Sequence, residues 1–451
     1  MDADPRDARI RELEAENQAL RQRIAELEQR VTQLQRQLEE LERIAARQAA
    51  PFRRKDKDKK PPDQHKRPGR PPGHPPAFRP PPPQIDDAVE VRLDRCPRCG
   101  GPVTSVQRCE QYIEEIPPVR PHVTRVTTYV GQCSCCGEVR STHPLQVSTA
   151  CGAAGTHLGA RTLALAAWLS KRLGLTTRSV CKLLEGLLGL KLTPGGLTQA
   201  LDRVAGKMRP EFDQLVVDLR RQGGVWADET SWWVGGPGWW LWTFTAPELT
   251  VYRVDASRGR DVVLEMLGAD FQGVLTSDCL ASYETLPYKM HKCYAHHLKA
   301  ISKACEETPS DYLLQLRALL KAAMFLQTIR GDLSPPEWAA KRQALEDRAD
   351  ELLLRTPPPP GAAKVAERIR KRRRWLFTFL DDPSLEATNN RAERSLRPAV
   401  IARKLSCGNK TLRGKGTWEI LTSLAATCHQ RGQDFIEHIR PQLTLGTLPA
   451  R

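Results

Sequence analysis

The hydrophobic pattern acquires a period of two at Gly224-Val-Trp-Ala-Asp-Glu-Thr230, and this stretch decides the fold. Alternation of apolar and polar side chains predicts a β-strand. Two more strands are predicted at Trp239–Thr245 and Thr250–Val254, then a helix at Gly259–Leu267 and a fourth strand at Gly273–Asp278. The predicted order is therefore strand, strand, strand, helix, strand.

This order is the opening of an RNase H-like fold, in which the first and fourth strands are neighbours. Asp228 lies on the first strand and Asp278 ends the fourth, so we expect their carboxylates to converge. Hard oxygen ligands of this kind suit divalent cations such as Mg²⁺. Glu229 adjoins Asp228, but side chains alternate along a strand, and it is expected to face the opposite side.

The composition favours a nucleic acid partner. The chain has 451 residues, enough for about three domains, and 69 Lys and Arg against 53 Asp and Glu give a net charge of +16. No stretch is apolar enough to span a membrane, and no signal peptide is visible. Thirteen cysteines, an odd number, indicate metal ligands or free thiols in a reducing compartment. We therefore expect a cytoplasmic protein.

An unbroken heptad pattern runs through residues 8–48. Position a is occupied by Ile10, Asn17, Ile24, Val31 and Leu38, and position d by Leu13, Leu20, Leu27, Leu34 and Leu41. β-Branched residues at a with leucine at d favour a parallel two-stranded coiled coil, and one polar residue at a fixes the register. The segment is therefore predicted to dimerise the chain, with Asn17 setting the pairing.

Residues 49–88 form a basic, proline-rich linker that is predicted to stay extended and disordered, because it can bury almost no apolar surface. It contains Lys66-Arg-Pro-Gly-Arg-Pro-Pro-Gly-His74, which resembles an AT-hook. In that interpretation Arg67 and Arg70 enter a narrow minor groove of DNA. The alternative is a solvated basic linker, and both readings allow contact with phosphates.

Two cysteine pairs predict a zinc ribbon over residues 89–150. Cys96-Pro-Arg-Cys99 and Cys133-Ser-Cys-Cys136 are each followed by glycine, the spacing at which two thiolates face one ion. Four cysteines from two such knuckles form a closed structural Zn²⁺ site. Cys135 is an alternative to Cys133 or Cys136, so the choice of ligands in the second knuckle stays open. Strand character over His122–Val130 fits the ribbon.

Two regions are predicted to be helical. In residues 151–215, one helix lies within Leu175–Leu190, and a second begins with Thr193 as N-cap and Pro194 at the first position. Such a pair is compatible with a helix-turn-helix and equally with ordinary packing. Residues 301–380 contain further helices, of which the basic run Lys364–Trp375 is predicted to contact DNA.

The chain resembles the IS66-family transposases. The resemblance rests on the whole order of segments and above all on two blocks, Ala227-Asp-Glu-Thr230 and Asn389-Asn-Arg-Ala-Glu-Arg-Ser-Leu-Arg-Pro398. It implies a DDE transposase with Asp228, Asp278 and Glu393 as catalytic residues and as ligands for Mg²⁺ or Mn²⁺. The expected fold is therefore multidomain α/β, with an RNase H-like core at 220–300 and 381–445 and an all-helical insertion at 301–380, preceded by the coiled coil and zinc ribbon.

Several residues near Glu393 have alternative interpretations. Glu386 is the competitor of Glu393 for the third position, and the resemblance selects Glu393. DNA-binding candidates in this region are Arg391, Arg394, Arg397, Arg403 and Lys404. For the arginines flanking Glu393, a salt-bridged helix surface is an equal alternative. Cys293 and His296 have a two-residue spacing, and a structural or DNA-positioning role is predicted, because a metal site would need more ligands.

Three functions fit these features. The favoured one is a metal-dependent transposase that cuts at terminal inverted repeats and joins the ends to target DNA. It would act as a homodimer or a larger synaptic oligomer, and the resemblance implies accessory proteins of the element. The alternatives are a catalytically inactive zinc-containing DNA-binding regulator and a nuclease without joining activity. Only the three acidic residues distinguish them.

Overall fold

The computed structural model describes residues 16, 18, 20–31, 33–34, 79–152 and 155–445. Residues 20–31 are helical, and the heptad side chains Leu20, Ile24 and Leu27 are about half exposed. The other parts of the predicted coiled coil, including Asn17, lie outside the described residues, as do Arg67 and Arg70 of the linker. No helix of the described ranges is long and apolar enough to cross a membrane.

Phe52–Pro121 forms a compact unit of its own. Its described part, residues 79–121, contains no helix or strand, only an isolated bridge between Arg95 and Pro102. The other unit comprises Met1–Pro51 and His122–Arg451, and its first two strands in the described residues form a hairpin of β1 (Val130–Cys133) and β2 (Gly137–Arg140). The strand predicted over 122–130 is thus confined to its last residue. Residues 122–129 are not assigned to a strand, because alternation alone forms no ladder without a partner strand. Only Tyr129 continues the hairpin pairing, since its carbonyl accepts the N–H of Ser141 at 3.0 Å.

Three helices precede the sheet: α1 (Ala160–Lys171), α2 (Thr177–Leu188) and α3 (Pro194–Arg220). Thr193 caps α3, since its hydroxyl accepts the Gly196 N–H at 3.0 Å, and Pro194 occupies the first position, as predicted. The apolar sides of all three helices are buried in one core that also receives one face of the sheet. They therefore act as packing elements of the central domain.

The central sheet has five strands. In chain order the elements are β3 (Gly224–Trp232), β4 (Trp239–Thr245), β5 (Thr250–Asp255), α4 (Arg260–Leu267), β6 (Val274–Ser277), the single turn α5 (Ala281–Glu284) and β7 (Lys289–Lys292). The spatial order is β5-β4-β3-β6-β7, with β5, β4 and β3 antiparallel and β6 and β7 parallel to β3. The predicted order of elements over residues 224–278 is observed, and the chain is mixed α/β.

The remaining chain is helical. The helices are α6 (Tyr294–Glu307), α7 (Asp311–Thr328), α8 (Pro335–Asp350), α9 (Ala363–Arg370), α10 (Asn390–Ser406), α11 (Leu412–Gln430) and α12 (Phe435–Leu443). Helices α6 to α9 share a second core with the sheet residues Trp226 and Val274. This is the helical segment predicted between the second aspartate and the glutamate.

The basic run that was predicted to be one DNA-contacting helix has a different environment. Helix α9 ends at Arg370, and short 3₁₀ turns follow. Arg372 is paired with Glu284, and Arg373 donates to Asp350 at 2.6 Å. These two guanidinium groups are therefore neutralised inside the protein, because their acidic partners come from distant parts of the chain.

The open edge of the sheet is covered by α11. Along β5 the N–H groups of Thr250 and Tyr252 donate to the hydroxyls of Thr427 and Ser423, at 3.1 and 2.9 Å. The N–H of Val254 donates to Glu419 in the same way. One helix face thus satisfies alternate amides of the strand and blocks pairing with another chain at this edge.

Candidate active site

Asp228 and Asp278 occupy matching positions on neighbouring parallel strands. Strands β3 and β6 pair with Gly224 opposite Val274 and Trp226 opposite Thr276. The same register carried forward places Asp228 beside Asp278, which directly follows β6. The Asp278 Oδ1 atom accepts the N–H of Leu280 at 2.8 Å, and this bond orients the carboxylate where the strand ends. The predicted convergence of the two aspartates is observed.

The electrostatics of Asp228 reflect these neighbours. Burial, together with the nearby carboxylates of Glu229, Asp278 and Glu393, raises the pKa of the Asp228 carboxyl to about 8. Each like charge opposes ionisation of Asp228. Asp278 and Glu393 therefore both lie within electrostatic range of Asp228, and the raised pKa favours the protonated form of Asp228 in the absence of a cation.

Glu229 lies on the opposite face of β3, as predicted. It is paired across the sheet with Trp242, whereas Asp228 is paired with Thr243. Its Oε1 accepts from Arg258 at 2.8 Å and its Oε2 accepts the Tyr283 hydroxyl at 2.8 Å. Both oxygens are therefore occupied by protein donors, which favours a structural role.

Glu393 lies in the first turn of α10, on the Asp228 face of the sheet. It is exposed and lines an open cleft of about 570 Å³. The cleft is also lined by Asp228, Thr230, Asn390, Arg394 and Arg397. A carboxylate at a helix N-terminus is favoured by the main-chain dipoles there. Glu393 is thus the exposed, helix-borne acid of the cluster, beside two acids that the sheet positions.

Asn389 positions α10, and sequence reasoning missed it. Its side-chain Nδ2 donates to the carbonyl of Ala227 at 2.8 Å, and its N–H donates to the Cys293 Sγ at 3.0 Å. Its own carbonyl accepts the N–H of Glu393 at 3.1 Å. One buried side chain therefore ties the start of α10 to the residue before Asp228. The paired asparagines of the block were the available signal.

Lys292 was also missed. It is fully buried on β7, and its Nζ donates to the Ser277 hydroxyl at 2.9 Å. Ser277 immediately precedes Asp278, and its hydroxyl donates to the Asp278 carbonyl at 3.1 Å. Burial lowers the pKa of Lys292 to about 8. This lysine therefore supports the end of β6 from behind the acidic cluster.

Glu386 is separated from the cluster. It lies before the start of α10, and its Oε1 accepts from Arg391 at 2.7 Å. The guanidinium of Arg391 also lies over the Trp226 ring, 4.8 Å from its centroid. Both members of this pair are engaged within the protein, so the geometry favours Glu393 as the third acid.

The family comparison agrees with this arrangement. The model of the family described as Transposase IS66 family matches residues 155–416, more than half of the chain. The chain belongs to the IS66 transposase family. The matched range contains the sheet, the helical segment and α10.

Two relatives from Sinorhizobium fredii (strain NBRC 101917 / NGR234) are similar to this IS66-family chain. The uncharacterized protein y4qI is 25% identical over 302 residues, which cover 57% of this chain and 54% of y4qI. The uncharacterized protein y4jD is 25% identical over 399 residues, covering 78% of this chain and 74% of y4jD. The chain thus aligns with about half of the first relative and about three quarters of the second.

The candidate DNA-binding residues of this IS66-family chain divide into two groups. Arg394 and Arg397 are exposed and line the cleft beside Glu393, and Lys404 is exposed further along α10. Arg403 instead donates to the hydroxyls of Thr230 and Ser231, at 3.1 and 3.0 Å. Burial lowers the pKa of Arg403. It therefore ties α10 to β3, which is a structural task.

Cys293 and His296, for which a structural or positioning role was predicted, are close to Glu393. Cys293 is buried directly before α6, and His296 lies in the first turn of that helix. Burial raises the pKa of the Cys293 thiol, which the main-chain amides of Asn389, His296 and Ala295 oppose. Cys293 and His296 thus lie at the junction of β7 and α6. The start of α10 packs against this junction, because the N–H of Asn389 donates to Cys293.

Each cysteine knuckle has a turn suited to a metal ligand pair. Gly100 donates its N–H to the Cys96 carbonyl at 2.9 Å, and Cys133 is paired with Gly137 across the β1–β2 turn. Neighbouring main-chain amides lower the pKa of both thiols through hydrogen bonds. The largest contribution comes from the amide of Arg98 for Cys96 and from that of Cys135 for Cys133. The four-cysteine Zn²⁺ site with Cys99 and Cys136 stays a prediction.

Proposed function

We propose that this IS66-family protein is a DNA transposase whose active site consists of Asp228, Asp278 and Glu393. The observation that carries the proposal is that the carboxylates of Asp278, at the end of β6, and of Glu393, in the first turn of α10, both lie within electrostatic range of Asp228 on β3. The strand order β5-β4-β3-β6-β7 is the order expected of an RNase H-like core. The three acidic residues come from separate segments of the chain, as in a DDE arrangement.

The donor set fits Mg²⁺ or Mn²⁺. Carboxylate oxygens are the ligands that hard divalent cations prefer. Burial and then the repulsion between carboxylates raise the pKa of Asp228, and a bound cation would offset both effects. When bound, two such ions supply activation of the attacking oxygen and stabilisation of the leaving oxygen in an in-line displacement at phosphorus.

The protein residues have distinct tasks in this proposal. Asp228 and Asp278 are held in place by the sheet and would supply the two ligands of fixed position. Glu393 approaches from the first turn of α10, where its exposed side chain can adjust to the DNA. Arg394 and Arg397 line the same cleft and supply positive charge for backbone phosphates next to the acids. The DNA strand is therefore expected to lie along α10.

The N-terminal segments supply assembly and further DNA contact. The exposed stripe of Leu20, Ile24 and Leu27 on a helical segment suits pairing with a second copy. Arg67 and Arg70 in the linker and a zinc-bound four-cysteine ribbon would add contacts with terminal inverted repeats. A homodimer or larger assembly would then bring two element ends together before joining to target DNA, with accessory proteins of the element taking part.

A strand-transfer assay tests the function. The full chain is incubated with Mg²⁺, labelled DNA carrying the inverted repeats that flank the gene, and a target plasmid. Joined product supports the transposase. Cleavage without joining identifies a nuclease, and DNA binding without either product identifies a regulator. Asp278→Ala is expected to abolish joining while leaving the affinity for DNA within about threefold, since only one acidic residue is removed from the interface.

A further inference from the structure

Glu393 has a second set of chemically distinctive neighbours. The Cys293 Sγ, one ring nitrogen of His296 and one carboxylate oxygen of Glu393 lie within 4.8 Å of one another. Among the described residues, this is the one group of three or more His, Cys, Asp or Glu side chains placed so that they could share a metal ion. The DDE chemistry uses only the carboxylate, which leaves the thiol and the imidazole without an assigned role.

Two of the three groups are held in a fixed frame. The N–H of Cys293 donates to the Ser277 carbonyl at 3.0 Å, and its Sγ accepts the N–H of Asn389 at 3.0 Å. His296 follows within the first turn of α6, and its Nδ1 is buried with no hydrogen-bond partner in the described chain. A buried imidazole nitrogen without a partner is costly unless a ligand occupies it.

The separations fit one tetrahedral ion after a small adjustment. Zinc bond lengths place neighbouring ligand atoms roughly 3.3 to 3.8 Å apart, so a closure of about 1 Å is needed. The exposed side chain of Glu393 can supply this movement. A thiolate, an imidazole and a carboxylate together suit Zn²⁺, Co²⁺ or Cd²⁺, whereas Mg²⁺ prefers oxygen ligands alone.

We propose that Cys293, His296 and Glu393 form a binding site for a zinc-class ion, with water in the fourth position. On binding, the Cys293 thiol loses its proton to solvent and the thiolate coordinates the ion. A further consequence rests on the proposed function: the ion holds Glu393 away from Asp228 and Asp278. Zn²⁺ would then inhibit Mg²⁺-supported joining by capturing the third acid.

Binding of Co²⁺ to the full chain tests the site directly. A thiolate ligand gives a sulfur-to-cobalt charge-transfer band, and equilibrium dialysis counts the ions bound per chain. The knuckle cysteines also bind Co²⁺, so the comparison is between variants. Cys293→Ser is expected to bind one ion fewer than the unmodified chain. Cys305→Ser is the matched control, a half-buried cysteine at the other end of α6, and should bind the full number.

Glu393→Gln keeps the test decisive if Cys293→Ser fails to fold. Glu393 is exposed, so its amide should not disturb the fold. The affinity of the Glu393→Gln variant for the additional Co²⁺ should fall by about tenfold or more, because even residues that only hydrogen-bond to a metal ligand contribute that much. Equal Co²⁺ content and affinity in both variants and the unmodified chain would overturn the site. If the unmodified chain binds the additional Co²⁺ ion but gives no joined product, the result would instead count against the transposase assignment.

The inhibition is tested in the joining assay. Zn²⁺ added to a Mg²⁺ reaction should reduce joined product, and a large excess of Mg²⁺ should restore it, since both compete for Glu393. Zn²⁺ binding without inhibition would refute the capture of Glu393 while leaving the site in place.

Discussion

Asp228, in the middle of β3, lies beside Asp278 at the end of the parallel strand β6, and within the described part of the chain no basic side chain is paired with either carboxylate. The Oδ1 atom of Asp228 accepts the N–H of Glu229 at 3.0 Å, and Asp278 accepts the N–H of Leu280 at 2.8 Å. Main-chain amides orient both groups without neutralising them. Because neither carboxylate is held by a basic partner, both remain available to bind a cation, which the carboxylate of an Asp–Arg pair would not.

This relationship predicts a pH dependence of stability. The pKa of Asp228 in the folded chain, about 8, lies above its value of about 4 in an unfolded chain. The folded state therefore binds more protons between these values. The contribution of Asp228 is fully present below pH of about 4 and is lost as the pH rises through about 8, at up to about 1.4 kcal/mol per pH unit.

Urea unfolding of the metal-free chain at a series of pH values between these two limits measures the slope of the free energy of unfolding against pH. Asp228→Asn, which has no proton to lose, should flatten it, and saturating Mg²⁺ should stabilise the unmodified chain most at high pH. The same slope in both proteins would show that Asp228 ionises normally.

The third acid can be identified by a matched pair of glutamates. Glu393→Gln should reduce joined product by a factor of about a thousand or more, because a metal ligand is lost without a change of shape. Glu386→Gln should retain activity within about tenfold, since its carboxylate is paired with Arg391 at 2.7 Å. The strand-transfer assay with Mg²⁺ measures both. The opposite ranking would transfer the third position to Glu386.

Local sequence signals predicted the strands and the helix start at Thr193, because both depend on side chains close in sequence. The adjacency of Asp228 and Asp278 followed from the order of elements. The surroundings of Glu393 could not be predicted, since the bond from Asn389 to Cys293 joins residues 96 positions apart. The helix predicted over the basic run ends at Arg370, and the pairing of Arg372 with Glu284 could not be predicted for the same reason, since Glu284 lies in a distant segment. Charge patterns give no information about such partners. Contact of the exposed residues of this run with DNA stays a prediction.

Asn389 is expected to be important for both stability and activity. Asn389→Ala removes the buried donor to the Ala227 carbonyl, so the free energy of unfolding should fall by about 1–3 kcal/mol. Joining should fall more than stability alone explains, because α10 no longer holds Glu393 in register with Asp228. Asn390→Ala, at the exposed neighbouring position, should change stability by less than about 0.5 kcal/mol. Chemical denaturation and the joining assay separate these effects, and equal losses in the two variants would contradict a positioning role.

Arg397 and Arg403 provide a contrast between DNA contact and structure on one helix. Arg397 is exposed in the cleft, so Arg397→Ala should weaken DNA binding and reduce the slope of log affinity against log salt concentration by about 1. Arg403→Ala should leave that slope unchanged and lower the free energy of unfolding by about 1–3 kcal/mol, because Arg403 donates to Thr230 and Ser231 of β3. Fluorescence anisotropy over a salt series and urea unfolding measure the two quantities. A reduced salt slope in Arg403→Ala without destabilisation would place Arg403 at the DNA instead.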